Sequence, residues 1–355
     1  MNETADHRDT EGTGDGKGNS TDVLPVGKLD MPFLARLLGD IAASDPSVVV
    51  GPGIGRDVAV LDAGGECHLL AKSDPVTFAT DAIGYYAVAV NANDIATAGG
   101  VPRWFLATVL LPEGRTDEAM VEGIFRQIRA ACEDSGITLV GGHTEVTLGL
   151  ERPIISGHML GLVPHGKAIT SAGARPGDAV LLTKGIAVEG TAIIARERQG
   201  DLLAAGFEED WLQAAQRLLF APGISVLPEA RAVVAAVNVH AMHDPTEGGI
   251  ATGLWEMAVA SGVAISVALG NVPILSECRR LCTHFGIEPL GLIASGSLLI
   301  AVAEGDAAEA IAACERAGVT CARIGTICEG APSVYAQETG EQLPRYDQDE
   351  VTRVL

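Results

Sequence analysis

The sequence predicts an α/β (α+β) protein built from two modules, on three observations. Short β-rich runs alternate with helical patterns along most of the chain. Its 355 residues, 47% of them hydrophobic, can bury one large core or two medium ones, and the length favours two. The alternation breaks near the middle, from Pro164 to Pro176, where His165-Gly166-Lys167 and Gly173 read as a linker.

Ordered structure is expected from about Leu29, where Asp30 and Pro32 open a helix that sets Phe33, Leu34, Leu37, Leu38 and Ile41 on one side. In the first module, β-branched and aromatic runs predict strands at Val58–Leu61, His68–Lys72, Trp104–Leu111, Thr138–Val140 and Ile154–Val163. Between them, Tyr85–Ala98 and Thr116–Ser135 carry helical periodicity. The second module predicts strands at Val180–Thr183, Ala264–Ala268, Ser297–Ala303 and Cys321–Ile327. Its helices are expected at Ala192–Arg198, Trp211–Leu219, Val226–Ala236, Ser276–Phe285 and Ala307–Ala317, with one more after Asp244.

Composition removes several classes of function. A net charge of −22 excludes a sequence-independent nucleic-acid binder, which needs a basic face. Anionic ligands must then be held by local groups or metal ions. The seven cysteines are scattered without a CxxC pair, as expected of reduced cytoplasmic thiols. Neither a signal peptide nor an apolar run of about 18 residues is visible, so no membrane role and a cytoplasmic location are expected. Met1 to about Asp22 is acidic, glycine-rich and nearly free of aliphatics, which predicts a disordered tail. Gly14-Asp15-Gly16-Lys17-Gly18 within it follows no strand and opens no helix, against a phosphate loop.

Four segments place acidic residues where local propensity resists them. In His243-Asp244-Pro245-Thr246-Glu247-Gly248-Gly249, Asp244 suits a helix N-cap, Pro245 the first helical position, and Glu247 a capping box ahead of Ile250–Ala258. Capping leaves Gly248 and Gly249 unexplained, since each costs roughly 1 kcal/mol in a first turn unless something approaches the backbone closely. A phosphate on exposed N–H groups is one such thing. Gly51-Pro52-Gly53-Ile54-Gly55-Arg56-Asp57 leads into a strand rather than from strand to helix, so it is no Rossmann fingerprint. Asp74 follows the His68–Lys72 run and reads equally as an Asx turn. In the helix Tyr85–Ala98, the poor helix formers Asn91, Asn93 and Asp94 interrupt small apolar residues, with Asn91 and Asp94 on one face. Val140-Gly141-Gly142-His143-Thr144-Glu145 ends an apolar strand in two glycines and a polar triplet. Phosphoryl transfer needs positioned Mg2+ ions on carboxylate oxygens, and Asp57, Asp74, Asp94 and Asp244 are the candidate ligands.

Gly53-Ile54-Gly55-Arg56-Asp57-Val58-Ala59-Val60, Asn93-Asp94-Ile95-Ala96, Gly141-Gly142-His143-Thr144 and Asp244-Pro245-Thr246-Glu247-Gly248-Gly249 fall in one order. That order resembles the aminoimidazole ribonucleotide synthase (PurM-like) superfamily, which includes selenophosphate and thiamin-monophosphate enzymes, and is most similar to its hydrogenase maturation factor HypE branch. The resemblance covers about Lys28 to Arg345. It implies a PurM-like two-domain fold, with residues 1–27 as a tail, 28–165 as an N-terminal ATP-binding domain, 166–345 as a C-terminal α/β sandwich, and 346–355 as a C-terminal tail. The N-terminal domain would pair across a homodimer into a β-barrel. ATP with Mg2+ is implied, held by Asp57, Asp74, Asp94 and Asp244, with Gly53, Gly55, Lys72, Asn91, Gly141, Gly142 and Thr144 beside the nucleotide. His143 is the candidate proton carrier at neutral pH, and Glu247 the second candidate catalytic residue.

The chain departs from the HypE pattern at named positions. That family ends in Pro-Arg, an aliphatic residue and a Cys whose thiol bears the substrate; here Leu343-Pro344-Arg345-Tyr346 continues to Leu355 with no Cys after Cys328. The family's Asn-Glu-Gly is Ala294-Ser295-Gly296, which removes a carboxylate expected to assist dehydration. The Asp of its Gly-Asp-Thr is His143, as in selenophosphate synthetases, and the Arg of its Asp-Pro-Thr-Arg-Gly-Gly is Glu247. The expectation is an ATP- and Mg2+-dependent enzyme that activates a small-molecule acceptor by phosphoryl transfer. Two alternatives stand beside it: a maturation factor acting on a carbamoyl thiol of a partner protein, and a non-catalytic ATP-sensing protein.

Overall fold

The computed structural model describes residues 28–39, 41, 45–79 and 81–355; the acidic segment read as a tail lies outside them. After helix α1 (Met31–Gly39), the first half forms one six-stranded sheet: β1 (Val48–Val50), β2 (Ala59–Leu61), β3 (Cys67–Val76), β4 (Val101–Pro112), β5 (Thr138–Thr147) and β6 (Ile154–Pro164). Helices α2 (Ile83–Thr97) and α3 (Glu118–Ser135) join its strands. The spatial order is β1-β2-β3-β6-β4-β5, with only β4 and β5 parallel.

The second half forms another sheet in the order β12-β9-β11-β7-β10-β8. Its strands are β7 (Asp178–Thr183), β8 (Val239–His243), β9 (Ala264–Val267), β10 (Leu299–Ala303), β11 (Cys321–Cys328) and β12 (Ser333–Ala336). Helices α4 (Val188–Glu197), α5 (Gln199–Ala204), α6 (Glu209–Arg217) and α7 (Leu227–Ala236) separate β7 from β8. Then come α8 (Gly249–Ser261), α9 (Ser276–Phe285) and α10 (Ala307–Arg316). Only β12 and β9 pair in parallel. The alternation read from the sequence therefore comes from two mostly antiparallel sheets with helical insertions, not from parallel βαβ units.

The second sheet is covered on both faces, which is why its strands read as unbroken apolar runs. Along β7, Ala179 and Leu181 join the large core beneath the helices, while Val180 and Leu182 join a second cluster with Ile250 and Leu254 of α8. In the first sheet, β4 alternates strictly, burying Phe105, Ala107, Val109 and Leu111 against the helices. α3 buries Ile124, Ile128, Ala131 and Cys132 at helical spacing. Its ends are fixed by Asp117, whose side chain accepts from the Met120 N–H, and by Gly136 at φ 69°.

α2 is buried on nearly every side and is apolar all round except for Asn91, Asn93 and Asp94. It lies close on the sheet because Gly157 of β6 leaves room: a Cβ there would stand 2.2 Å from the Asn91 amide. The helical run Glu209–Ala236 is long and apolar enough to cross a membrane, contrary to the sequence reading, yet 44% of its apolar window is packed inside the protein. It is also broken at Leu219–Gly223, where Ala221 leaves helical geometry.

Three observed strands, β1, β8 and β12, were not expected. They are three to five residues long, and β8 reads Val-His-Ala-Met-His, without usable alternation. β5 runs through Gly141 and Gly142 to Thr147 instead of ending at Val140, since parallel pairing with β4 carries it onward. The last ten residues, expected to be a tail, are packed: Asp349, Glu350, Val351 and Val354 are buried, and Glu350–Arg353 forms a 3-10 turn.

Candidate active site

Five chain segments bring charged side chains to one place between the two sheets. Lys72 and Asp74 share a face of β3 because strand side chains repeat every two residues. Asp94 projects from the last turns of α2, Asp57 precedes β2, and Asp244 follows β8. The Lys72 Nζ lies 3.4 Å from Asp74 and 3.3 Å from Asp94. Asp57 Oδ2 lies 3.1 Å from His243 Nδ1, and His243 Nε2 lies 2.7 Å from Glu256 of α8. Lys28 closes the cluster, 3.3 Å from Glu247 and 2.6 Å from the Thr246 hydroxyl.

Negative charge outweighs positive charge here, and proton affinities record it. Burial, reinforced by Asp57, pushes Asp244 up to about 7 against the opposing pull of His243 and Lys72. Burial also raises Asp94 well above the usual carboxylate range, with Lys72 working the other way. Burial disfavours the Lys72 charge, but Asp94, Asp74, Asp57 and Asp244 more than offset it and keep the ammonium protonated. His243 is likewise buried, yet Asp57 and Glu256 raise it well above the imidazole range. Glu256, despite burial, is drawn down to about 2 by Lys28 and His243. Such an excess of carboxylate favours a bound cation. Asp244 Oδ1 is a buried oxygen with no hydrogen-bond partner, and ligand atoms of Asp57, His243 and Asp244 lie within 4.8 Å of one another. The residues present therefore fit a divalent metal ion.

Beside this cluster, Asp74, Thr246, Glu247, Glu189 and Ser295 line a small cavity of about 40 Å³. Its two glutamates have opposite proton affinities. Burial pushes Glu189 up to about 8, and its Oε2 has no partner. Glu247, although buried, is held below its ordinary value by Lys28. Ser295, at the position where the sequence comparison found a carboxylate missing, hydrogen-bonds Glu189. An acid is thus supplied from α4 beside that position.

Several expected contacts have a different cause. Asp244 is not a helix cap: α8 begins at Gly249, and Gly248 is its N-cap. Pro245 likewise stands ahead of the helix, because left-handed Gly248 (φ 79°) and Gly249 (φ 64°) turn the chain first. A Cβ on Gly249 would stand 2.4 Å from the Leu290 carbonyl, and the Gly248 N–H donates to Asp349 at 2.7 Å. Protein groups, not a phosphate, explain both glycines. Gly55 (φ 67°) packs against Glu256, Ala260 and Ser171 of the second half, while a Cβ on Gly53 would meet only its own loop's Arg56. Asn91 donates to the Asp74 carbonyl at 3.2 Å and leaves its Oδ1 unpartnered. Asn93 binds the Ile224 carbonyl and the Val226 N–H, both at 2.8 Å, and so joins the two halves.

Gly141, Gly142, His143 and Thr144 lie on β5, an exposed sheet edge. Asp74 pairs with Gly157, Gly157 with Ala107, and Ala107 with Gly142, so three strand spacings, about 14 Å, separate the two sets. His143 is exposed and bonds Glu145 at 3.1 Å. Among the described residues, the cluster includes Lys28, Glu189, His243 and Glu256, which the sequence did not single out for the site. The lone acids in the apolar segments that become α4 and α8 were the available signal for Glu189 and Glu256.

Known proteins align with this arrangement. Residues 55–163 match the family model for the AIR synthase related protein, N-terminal domain, and residues 175–336 match that for its C-terminal domain. The chain is 30% identical over 319 residues to the carbamoyl dehydratase HypE of Cupriavidus necator, covering 85% of each. It is 32% identical over 313 residues to the hydrogenase expression/formation protein HupE of Azotobacter chroococcum, covering 82% of this chain and 84% of that one. The crystal structure of a hydrogenase maturation protein HypE in complex with ATP superposes with a TM-score of 0.64 at 25% identity, over 90% of this chain and 96% of that one.

Proposed function

This chain belongs to the AIR synthase related family, and from that premise we propose that it is an ATP-dependent dehydratase acting on the carbamoyl thiol of a partner protein in hydrogenase maturation. It is a HypE-like, ATP-dependent enzyme; the relatives named as carbamoyl dehydratases support the partner-thiol reading over an open-ended small-molecule acceptor. They give no support to ATP sensing without turnover.

The observation that carries the reading is the small cavity holding Glu189 and Glu247 next to the Lys72 cluster. Dehydrating a primary amide to a nitrile requires its oxygen to become a leaving group and its nitrogen to lose two protons. Transfer of the ATP γ-phosphoryl group to the carbamoyl oxygen meets the first need, and ADP leaves. Loss of phosphate with the second proton completes the nitrile. Two carboxyls with separated proton affinities divide the proton work. Glu247, held ionised by Lys28, accepts a proton from nitrogen. Glu189, held protonated by burial, donates a hydrogen bond to the oxygen.

Mg2+ would be held by carboxylates of the Asp57, Asp74, Asp94 and Asp244 set and supplies charge neutralisation on the phosphates. Lys72 contributes a fixed cation beside Asp74 and Asp94. Gly141, Gly142, His143 and Thr144 reach a nucleotide through pairing of two copies at β5, whose edge exposes Val140 and Val146, with Leu148 just beyond its end.

ADP and phosphate release from purified protein tests the reading, with ATP and an S-carbamoyl cysteine peptide as substrates. Release should depend on the peptide, and the peptide should lose one water by mass spectrometry. Asp94→Asn should lower kcat on the order of 100-fold or more. Peptide-independent release with no mass change would remove the proposal.

A further inference from the structure

We propose that Asp57, His243 and Asp244 form a site for one divalent transition-metal ion, with His243 Nδ1 as a nitrogen ligand and Glu256 as the residue that aims the ring. This refines the ion of the proposed function, and rests on that reading only in placing the ion beside phosphates.

The four aspartates of the cluster are not equivalent. Asp74 and Asp94 already face an internal cation, Lys72, at 3.4 and 3.3 Å. Asp57 and Asp244 instead converge with His243, their ligand atoms within 4.8 Å. A second observation also points to a ligand: Asp244 is 2% exposed, and its Oδ1 has no partner. A buried carboxylate oxygen left bare is costly unless something completes it.

The imidazole is prepared for coordination. His243 is 3% exposed, and Glu256 holds its Nε2 at 2.7 Å. An ionised carboxylate can only accept, so the ring donates there and turns Nδ1 toward Asp57, 3.1 Å away. A carboxylate behind a metal-bound imidazole fixes the ring and makes it a better ligand. Oxygen-only sites suit Mg2+, whereas a nitrogen ligand shifts preference toward Mn2+, Fe2+, Co2+ or Zn2+. In a chain whose other candidate ligands are carboxylates, His243 is the residue that decides the ion.

Electron paramagnetic resonance with Mn2+ alone decides the matter without turnover. Chelator-stripped full-length protein is titrated with MnCl2, and bound Mn2+ is examined by electron spin echo envelope modulation. One ion should bind and show imidazole nitrogen modulation. Mg2+ should displace it only at roughly 10-fold or greater excess. His243→Asn should abolish the nitrogen modulation and weaken Mn2+ binding on the order of 10- to 100-fold, with less effect on Mg2+. Glu256→Gln should keep the modulation and weaken binding about 10-fold, which separates ring positioning from ligation. Mn2+ bound without nitrogen modulation, or no Mn2+ bound at all, overturns the site. If Mg2+-supported dehydration persists in that case, only this inference falls. A nitrogen signal in protein without carbamoyl-dependent turnover upholds the site and rejects the proposed function instead.

Discussion

Glu189 shows how far burial alone can move a side chain's chemistry. Its carboxyl is 5% exposed on α4, one oxygen is unpartnered, and it titrates near 8 instead of 4.5. The folded chain therefore keeps this proton through neutrality, while the unfolded chain releases it near 4.5. Its stabilising contribution is full below about 4.5 and is lost as pH rises to about 8, a cost of about 3 kcal/mol by pH 7. Glu189→Gln should raise ligand-free stability in urea at pH 7 by roughly 1–3 kcal/mol and flatten its decline between pH 5 and 8. It should also slow dehydration. An unchanged pH slope would show that the carboxyl is solvated. The sequence displayed Asp57, Asp74, Asp94 and Asp244 because each sat badly in its local context. Glu189 lay hidden, since glutamate is an ordinary helix residue until its surroundings are known.

At the scale of elements, α2 carries the most information. Its small residues let it lie on the sheet, and its polar residues face in three functional directions: Asn91 toward the Asp74 backbone, Asp94 toward Lys72, and Asn93 toward the other half of the molecule. The polar interruption was legible, but the partners were not, because Asn93 meets residues 131 and 133 positions away. Asn93→Ala would leave a buried carbonyl and a buried N–H unsatisfied. Chemical denaturation should show a loss of about 2–4 kcal/mol. Nucleotide affinity should fall with it, as Asp94 loses its support. An unchanged midpoint would mean that water replaces the amide. The turn at Gly248-Gly249 teaches the opposite lesson. Its cap-like spelling suggested a helix from Pro245, but left-handed backbone and the Asp349 carboxylate set the start at Gly249.

For the whole molecule, the open question is what meets the β5 edge. Val140, Val146 and Leu148 are 50%, 56% and 76% exposed there, on a strand with one free side. Light scattering should report a dimer, and Val146→Lys should shift it toward monomer while lowering ATP affinity. A monomeric wild-type protein with full activity would end the two-copy account. The sequence by itself determined the apolar runs, most helix and strand positions, and the acidic residues at odds with their surroundings, because those follow from spacing over a few residues. Only the tertiary structure decided that His243 would meet Asp57 across 186 positions, that Lys72 would sit among four aspartates, and that the last ten residues would pack as core. Long-range contacts depend on sheet order and register, and those are fixed by packing the whole chain at once.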